Sequence, residues 1–413
     1  MRDEVPAFDL MARLDALARC SDGGEDVLTR LYLSPAHAEA IGLLRGWMQA
    51  AGLTTRLDAA ATLVGRLDGP PGGKTLLIGS HIDTVRDGGR YDGNLGVLCG
   101  LAALDRLRRE GTRLPFAVEM LAFGDEEGVR FPVTMTGSRA CAGTLDIADQ
   151  LAAQDQEGIP LHTALRAFGC DPGRLADAAY RPDQVTGYIE VHIEQGPVLE
   201  AAGLALGVVT AINAASRFSV EVTGMAGHAG TVPMAGRRDA LAAAAEMVVA
   251  VRGVALAHPG VTATVGRIEA RPGAVNVIPG WAGFSLDVRA PDDGLRDQGI
   301  AEIRAAWNRL AAAHGVMLAV HPGFSAQAAP CTPDLMHRLE AAARTLELPT
   351  MRLTSGAGHD AMSMAALCPM AMLFVRCLGG ISHNPAESII EADARHAVDV
   401  LVQVMRDLAS SCE

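Results

Sequence analysis

Apolar runs of strand length recur along the chain, and several of them lead straight into a histidine or a carboxylate. TLLI opens into GSHIDTVRDGGRYDG, which carries His81 and Asp92. VEMLAFGDEE ends on Glu126 and Glu127, YIEVHIEQG carries His192, and AMLFVRCLGGISHNP brings His383 one loop later. Between the first two runs LGVLCGLAALDRLRR (95–109) has the helical period, so strand, helix and strand make a βαβ unit and predict a parallel sheet. In an open α/β sheet, the crevice beyond the carboxyl ends of the strands gathers residues that are far apart in sequence. The expected fold is therefore α/β, a mostly parallel sheet with helices on both faces, with His81, Asp92, Glu127, His192 and His383 in one place.

Near residue 213 the pattern changes. FSVEVTG reads as a strand, GRRDALAAAAEMVVAVRGVALA as a helix, VTATVGRIEA and AGFSLDVRA as two strands, GLRDQGIAEIRAAWNRLAAAHG as a helix and VMLAVHPGF as a strand. This β-α-β-β-α-β order is that of a ferredoxin-like α+β unit. Near residue 330 the first pattern resumes with the helix DLMHRLEAAARTLE and the strand AMLFV. The reading is a discontinuous domain of residues 1–212 and 330–413 with residues 213–329 inserted into it.

A chain of 413 residues can bury two cores. Its net charge of −13 excludes a surface built to neutralise phosphates, so no nucleic-acid partner is expected. The start, MRDEVPAFDLMARLDALARC, carries acids early and reads as a short amphipathic helix rather than a secretory signal. The most apolar windows, 241–257 and 361–375, are interrupted by Glu246 and Arg252 and by Pro369, and are expected to fall short of a membrane span. Cys20, Cys99, Cys141, Cys170, Cys331, Cys368, Cys377 and Cys412 form no CxxC pair, which fits a reducing cytoplasm. DGPPGGKT (68–75) mimics a phosphate loop, but Asp68 stands where the first glycine must be and the strand follows instead of preceding, so it reads as a turn.

His81, Asp92, Glu127, His192 and His383 supply nitrogen and oxygen donors without sulfur, a set suited to zinc, manganese, cobalt or nickel. Five ligands are too many for one tetrahedral zinc that keeps a water, and they suit two ions sharing a carboxylate, about 3.5–4 Å apart. Singly, each residue has an ordinary explanation: a histidine after a strand is commonly a hydrogen-bonded structural group, and Asp92 could cap a helix beginning near Asn94. Asp83, two residues past His81, is expected to hold the second ring N–H of that histidine. Glu126 and Glu127 are adjacent, so one is expected to bind metal while the other acts as general base, and spacing leaves the order open.

Taken together, GSHIDTVRDGGRYDG, GDEEGVRF, HIEQGPVLE, GHAGTVPM, SGAGHDA and GISHNPAE resemble the dizinc peptidase and amidohydrolase family of aminoacylases. They most resemble its ureido-cleaving branch of N-carbamoyl-L-amino acid hydrolases, β-ureidopropionases and allantoate amidohydrolases. The resemblance implies His81 and His192 on one divalent ion, Glu127 and His383 on a second, Asp92 bridging and Glu126 as base. It further implies that the inserted domain is a lid that carries a homodimer contact, and that residues of the lid reach a ureido acid substrate. The matching positions are His228, which would donate to the oxygen that gains charge, Asn276, which would pair with an amide, and Arg289, whose planar fork suits a carboxylate. Gln195 and His359 match further substrate contacts, whereas Arg217, Arg237 and Arg238 read as surface or helix-start residues.

LTRLYLSPAHAEA and HIDTVRDGG resemble allantoate enzymes more than carbamoylases, although Met362 stands where many allantoate enzymes have glutamine. The expected reaction is hydrolysis of the ureido C–N bond of allantoate to ureidoglycine, ammonia and carbon dioxide. The alternatives are an N-carbamoyl-L-amino acid hydrolase or β-ureidopropionase, then an aminoacylase or dipeptidase. A non-catalytic metal-binding scaffold would have no need of Glu126 beside Glu127.

Overall fold

The structure, a computed structural model, describes residues 8–24 and 27–410; Cys412 and the first seven residues of the expected N-terminal helix lie outside that range. The helix itself runs Leu10–Ala18, with Asp9 capping it by accepting from the N–H of Ala12. The chain divides into two compact units, one of Met1–Thr210, Cys331–Leu353 and Ala357–Glu413, the other of Ala211–Pro330 and Thr354–Gly356.

In the first unit the central strands are Ala117–Phe123, Thr75–His81, Val185–Ile193 and Met370–Val375, in that spatial order and mutually parallel. Nearly every residue of these strands is buried, so both faces of the sheet are covered, as parallel sheets require. The flanks depart from the expected parallel run: Leu63–Leu67 lies antiparallel to Ala117–Phe123, and Leu206–Ile212 antiparallel to Met370–Val375. The helix Asn94–Arg109 follows Thr75–His81 and packs against Val185–Ile193, Leu10–Ala18 and Glu391–Ser410. Gly96 makes that approach possible, since a Cβ there would lie 2.0 Å from the carbonyl oxygen of Val191.

The second unit is an antiparallel sheet in the order Ile268–Arg271, Trp281–Ala290, Ala214–Thr223, Met317–Ala326. The run VTATVGRIEA, expected to be one strand, is two: Thr262–Thr264 and Ile268–Arg271 both pair with Trp281–Ala290, broken at Gly266. Helices Ala240–Ala257 and Asp293–His314 close a core of Val220, Val222, Ala243, Met247, Phe284 and Trp307, with the indole N–H of Trp307 donating to the carbonyl of Met247 at 3.0 Å. One expectation is corrected here. The Ala240–Ala257 helix, with mean hydropathy 1.8, is long and apolar enough by itself to cross a bilayer. Its Ala243, Ala244, Met247 and Val251 face is nevertheless packed into this core, as in the core helix of a globular domain.

Candidate metal centre

His81 is the last residue of its strand, and Asp92 comes eleven positions later, just before the helix Asn94–Arg109. The cap of that helix is Gly93 at φ 65°, with no side-chain capping bond, so Asp92 is not the helix cap. A Cβ at Gly93 would lie 2.5 Å from the His81 ring, so glycine serves here for both the positive φ and the close approach. His192 lies on the neighbouring parallel strand Val185–Ile193, and His383 follows Met370–Val375 through a loop. All three imidazoles converge on Asp92. Oδ1 is 3.3 Å from His81 Nε2 and 3.1 Å from His192 Nε2, while Oδ2 is 3.2 Å from His383 Nε2, which also lies 3.6 Å from Glu127 Oε1. The donors thus sort into one set of His81, Asp92 and His192 and another of Asp92, Glu127 and His383.

Their tautomers show what this arrangement accommodates. His81 Nδ1 donates to the carbonyl of Asp83 and His192 Nδ1 to the carbonyl of Ile193, each at 2.9 Å. In the neutral rings the Nε2 atoms therefore carry lone pairs, and these two face one another at 3.5 Å beside the Asp92 carboxylate. Converging lone pairs and an anion satisfy a cation and not each other, so the residues fit a divalent ion. Burial opposes ionisation of Asp92, yet His192, His383 and His81 hold its carboxyl well below the usual range. The hydrogen bond that His383 donates to Asp92 pushes the imidazole up to about 9, and burial beside Asp92 pushes Glu127 up to about 7.

Asp83 has a different task from the one expected. The group nearest the His81 ring N–H is its main-chain carbonyl, with the carboxylate farther away at 3.8 Å. The carboxylate instead accepts from the N–H groups of Glu126 and Glu127, at 3.2 and 3.3 Å, and so joins the first ligand loop to the glutamate pair. Asp125, immediately before that pair, is left-handed at φ 67°, which turns the chain after the strand Ala117–Phe123. Glu126 groups with His81 and Glu127, whereas Glu127 also reaches the Asp92 and His383 set. Burial, followed by the charges of Glu127, Asp360 and Asp83 against that of His81, raises the Glu126 carboxyl well above its ordinary range.

Gln195, expected to touch substrate, donates from Nε2 to Asp92 Oδ2 at 2.8 Å, and its Oε1 is buried without a partner among the described residues. His359 is 1% exposed and lies edge-on to His192, ring centroids 4.4 Å apart. A packing role behind His192 fits that burial better than the expected substrate contact. In the second unit, Gly227–His228 pairs with Val277–Ile278, and the N–H of Ala229 donates to the carbonyl of Asn276, so the His228 and Asn276 loops are neighbours with exposed side chains. Arg289 is already engaged: Nε and Nη2 hold Asp287, and Nη1 donates to the carbonyl of Gly356. Arg237, read as a surface residue, pins the His228 loop by donating to the carbonyls of Ala229 and Val232, each at 2.7 Å.

Sequence reasoning also missed Glu387. Its Oε1 accepts from the N–H groups of Tyr91 and Asp92, at 2.8 and 3.1 Å, and Ser382 lies between its Oε2 and Asp92 Oδ2. The signal was present in GISHNPAE, where a carboxylate follows His383 by four residues.

Imidazoles and carboxylates converging beyond the ends of parallel strands, with an unshared glutamate alongside, define a metal-dependent hydrolase. The chain belongs to Peptidase family M20/M25/M40, whose family model matches residues 77–407. It is 40% identical to the allantoate deiminase of Arabidopsis thaliana, over 95% of this chain and 80% of that protein. To the N-carbamoyl-L-amino acid amidohydrolase of Geobacillus stearothermophilus it is 38% identical, over 97% of this chain and 98% of that one. Among solved structures, an amidase of the hydantoinase/carbamoylase family from Burkholderia multivorans superposes with a TM-score of 0.91 at 32% identity, covering 98% and 97% of the two chains.

Proposed function

We propose that this hydrolase cleaves the ureido C–N bond of allantoate, giving ureidoglycine, ammonia and carbon dioxide. The observation that carries the reading is the carboxylate of Asp92, whose two oxygens each face a separate donor set, with Glu126 alongside. The relatives named for allantoate and for N-carbamoyl amino acids support the ureido bond as the target. Two divalent ions, one held by His81, Asp92 and His192 and one by Asp92, Glu127 and His383, would supply Lewis acidity and lower the pKa of water from 15.7 to about 7. Zinc and manganese suit these donors, as do cobalt and nickel.

Glu126 is the general base. Its carboxylate takes a proton from the water that attacks the ureido carbon and returns it to the nitrogen that departs when the C–N bond breaks. Asp83 holds the main chain of Glu126, fixing the direction from which the carboxylate approaches. We assign substrate contacts to Gln195, His228, Asn276 and Arg289. In Arg289 the N–H groups not turned to Asp287 or Gly356 remain for a carboxylate. Residues 213–329 form the lid and the contact of a homodimer. The described cysteines, all buried and unpaired, suit a reducing compartment, and we place the enzyme in the cytoplasm.

Metal-free protein refilled with zinc or manganese and given allantoate, N-carbamoyl-alanine, β-ureidopropionate and an acyl amino acid tests this reading. Allantoate is expected to show the highest kcat/KM, with ammonia released. A preference for N-carbamoyl-alanine or β-ureidopropionate would move the assignment to the corresponding carbamoyl hydrolase, and metal uptake without turnover of any substrate would make the chain a binding scaffold.

A further inference from the structure

Arg30 lies in the LTRLYLSPAHAEA stretch, which has no part in the reaction as described. Its guanidinium is fully buried. Burying a charge is unfavourable unless its donors are satisfied, and here four hydrogen bonds go to groups other than carboxylates, among the described residues. Nε donates to the carbonyl of Ile82 at 2.6 Å, and Nη2 to Oδ1 of Asn94 at 2.6 Å. Nη1 donates to the carbonyls of Leu17 and Cys20, at 2.6 and 3.1 Å.

Each of these partners has a place in the fold. Ile82 is the residue between His81 and Asp83. Asn94 carries the grip onward, its Nδ2 donating to the carbonyl of Asp92 at 3.1 Å. Leu17 lies in the last turn of the helix Leu10–Ala18 and Cys20 just beyond it, at the end where the helix carbonyls concentrate negative charge. The main chain adds a clamp, with the N–H of Arg30 donating to Thr84 Oγ1 at 2.9 Å and the N–H of Thr84 donating back to the carbonyl of Arg30 at 3.0 Å. One planar fork therefore grips the His81 segment, the Asp92 segment and the end of a helix at the same time. A positive charge beside a cation site weakens that site by repulsion, so attraction does not account for this arrangement. Its geometry does, because only a guanidinium offers donors in several fixed in-plane directions.

We propose that Arg30 is a positioning residue for the metal centre, which presets His81 and Asp92 in their ligating positions and ties the Leu10–Ala18 helix to them. This rests on the metal-dependent reading of the site. The test is Zn²⁺ affinity, measured by chelator competition on wild type, Arg30→Lys, Arg30→Met and Asn94→Ala, with far-UV circular dichroism as a check on folding. Arg30→Lys and Asn94→Ala are expected to keep the wild-type spectrum and to bind Zn²⁺ about 10–100-fold more weakly, the usual cost of removing a group that orients a ligand. Their turnover is expected to recover when Zn²⁺ is raised, which a general packing defect would not produce. Wild-type affinity in the folded variants overturns the inference. If the Arg30 variants do not fold, Asn94→Ala decides alone, since it cuts only the arm that reaches Asp92. A wild-type protein that binds no Zn²⁺ would instead remove the metal reading, and this inference with it.

Discussion

Asp125 shows how a single residue can aim the proposed general base. Its left-handed backbone turns the chain out of the strand Ala117–Phe123, and the next two residues then take different places, Glu126 beside His81 and Glu127 only, and Glu127 within reach of the Asp92 and His383 set as well. With the carboxyl of Glu126 raised by burial and by neighbouring acids, it is suited to hold a proton between its two transfers. Glu126→Gln is expected to lower kcat by roughly 10²–10⁴ while metal content stays at the wild-type level. Near-normal turnover in that variant would take the base role away from Glu126. At this scale the convergence of His81, Asp92, Glu127, His192 and His383 was legible because each follows an apolar run. Arg30 and Glu387 were not, since they bond main-chain atoms of residues 52 and 296 positions away, nor was Asn94, whose side chain meets Arg30 from 64 positions away, and no local motif records such pairs. The same reason explains Asp83: a sequence places its side chain near His81 but does not reveal that its carbonyl is closer.

Elements carry a pH response of their own. At the start of the helix Pro35–Ala50, His37 is wholly buried, between Tyr32 and the stacked ring of Phe168. Its Nδ1 accepts from the N–H of Leu33 at 3.1 Å, and its Nε2 has no partner among the described residues. A second proton would be forced against that N–H in a dry site, and burial, with Arg30 nearby, lowers the imidazole to about 3. Because the folded pKa is depressed, the unfolded chain binds the extra proton first. Stability is therefore expected to fall as pH drops from about 6.5 toward 3, by up to about 1.4 kcal/mol per unit from this group. Urea unfolding at pH 7, 6 and 5 checks it: His37→Asn is expected to show the shallower loss, and parallel profiles would exclude His37 as the source. Long regular elements were readable from periodicity, as with Asn94–Arg109 and Asp293–His314. VTATVGRIEA is two strands because Gly266 interrupts the pairing although Val, Thr and Ile dominate the run, and the antiparallel flanks were not legible because hydrophobicity does not encode strand direction.

For the whole molecule, the sequence reading set the inserted segment at 213–329, and contacts within the chain draw the second unit at 211–330 with three further residues, Thr354–Gly356. Those three escape sequence reasoning because they are a short excursion within a segment that otherwise belongs to the first unit. The homodimer proposed for this unit has a physical candidate on the Ala240–Ala257 helix. One face fills the core, while Val249 and Leu256 on the remaining surface are 69% and 72% exposed. Sedimentation velocity is expected to give twice the chain mass for wild type and a shift to monomer for Val249→Asp with Leu256→Asp. A wild-type monomer, or a double variant that stays dimeric, would remove that face from the proposal.

The strand Met370–Val375 is inserted between Val185–Ile193 and Leu206–Ile212, pairing with both. During translation those two flanking strands emerge early and must wait, with unpaired backbone edges, while the entire 211–330 segment and the following helix are synthesised. The nascent polypeptide thus holds an open slot that only a late segment can fill, and that segment also delivers His383. With His383 among the proposed ligands, catalytic competence is withheld until that segment has been synthesised, and the waiting slot is where a chaperone would be most needed.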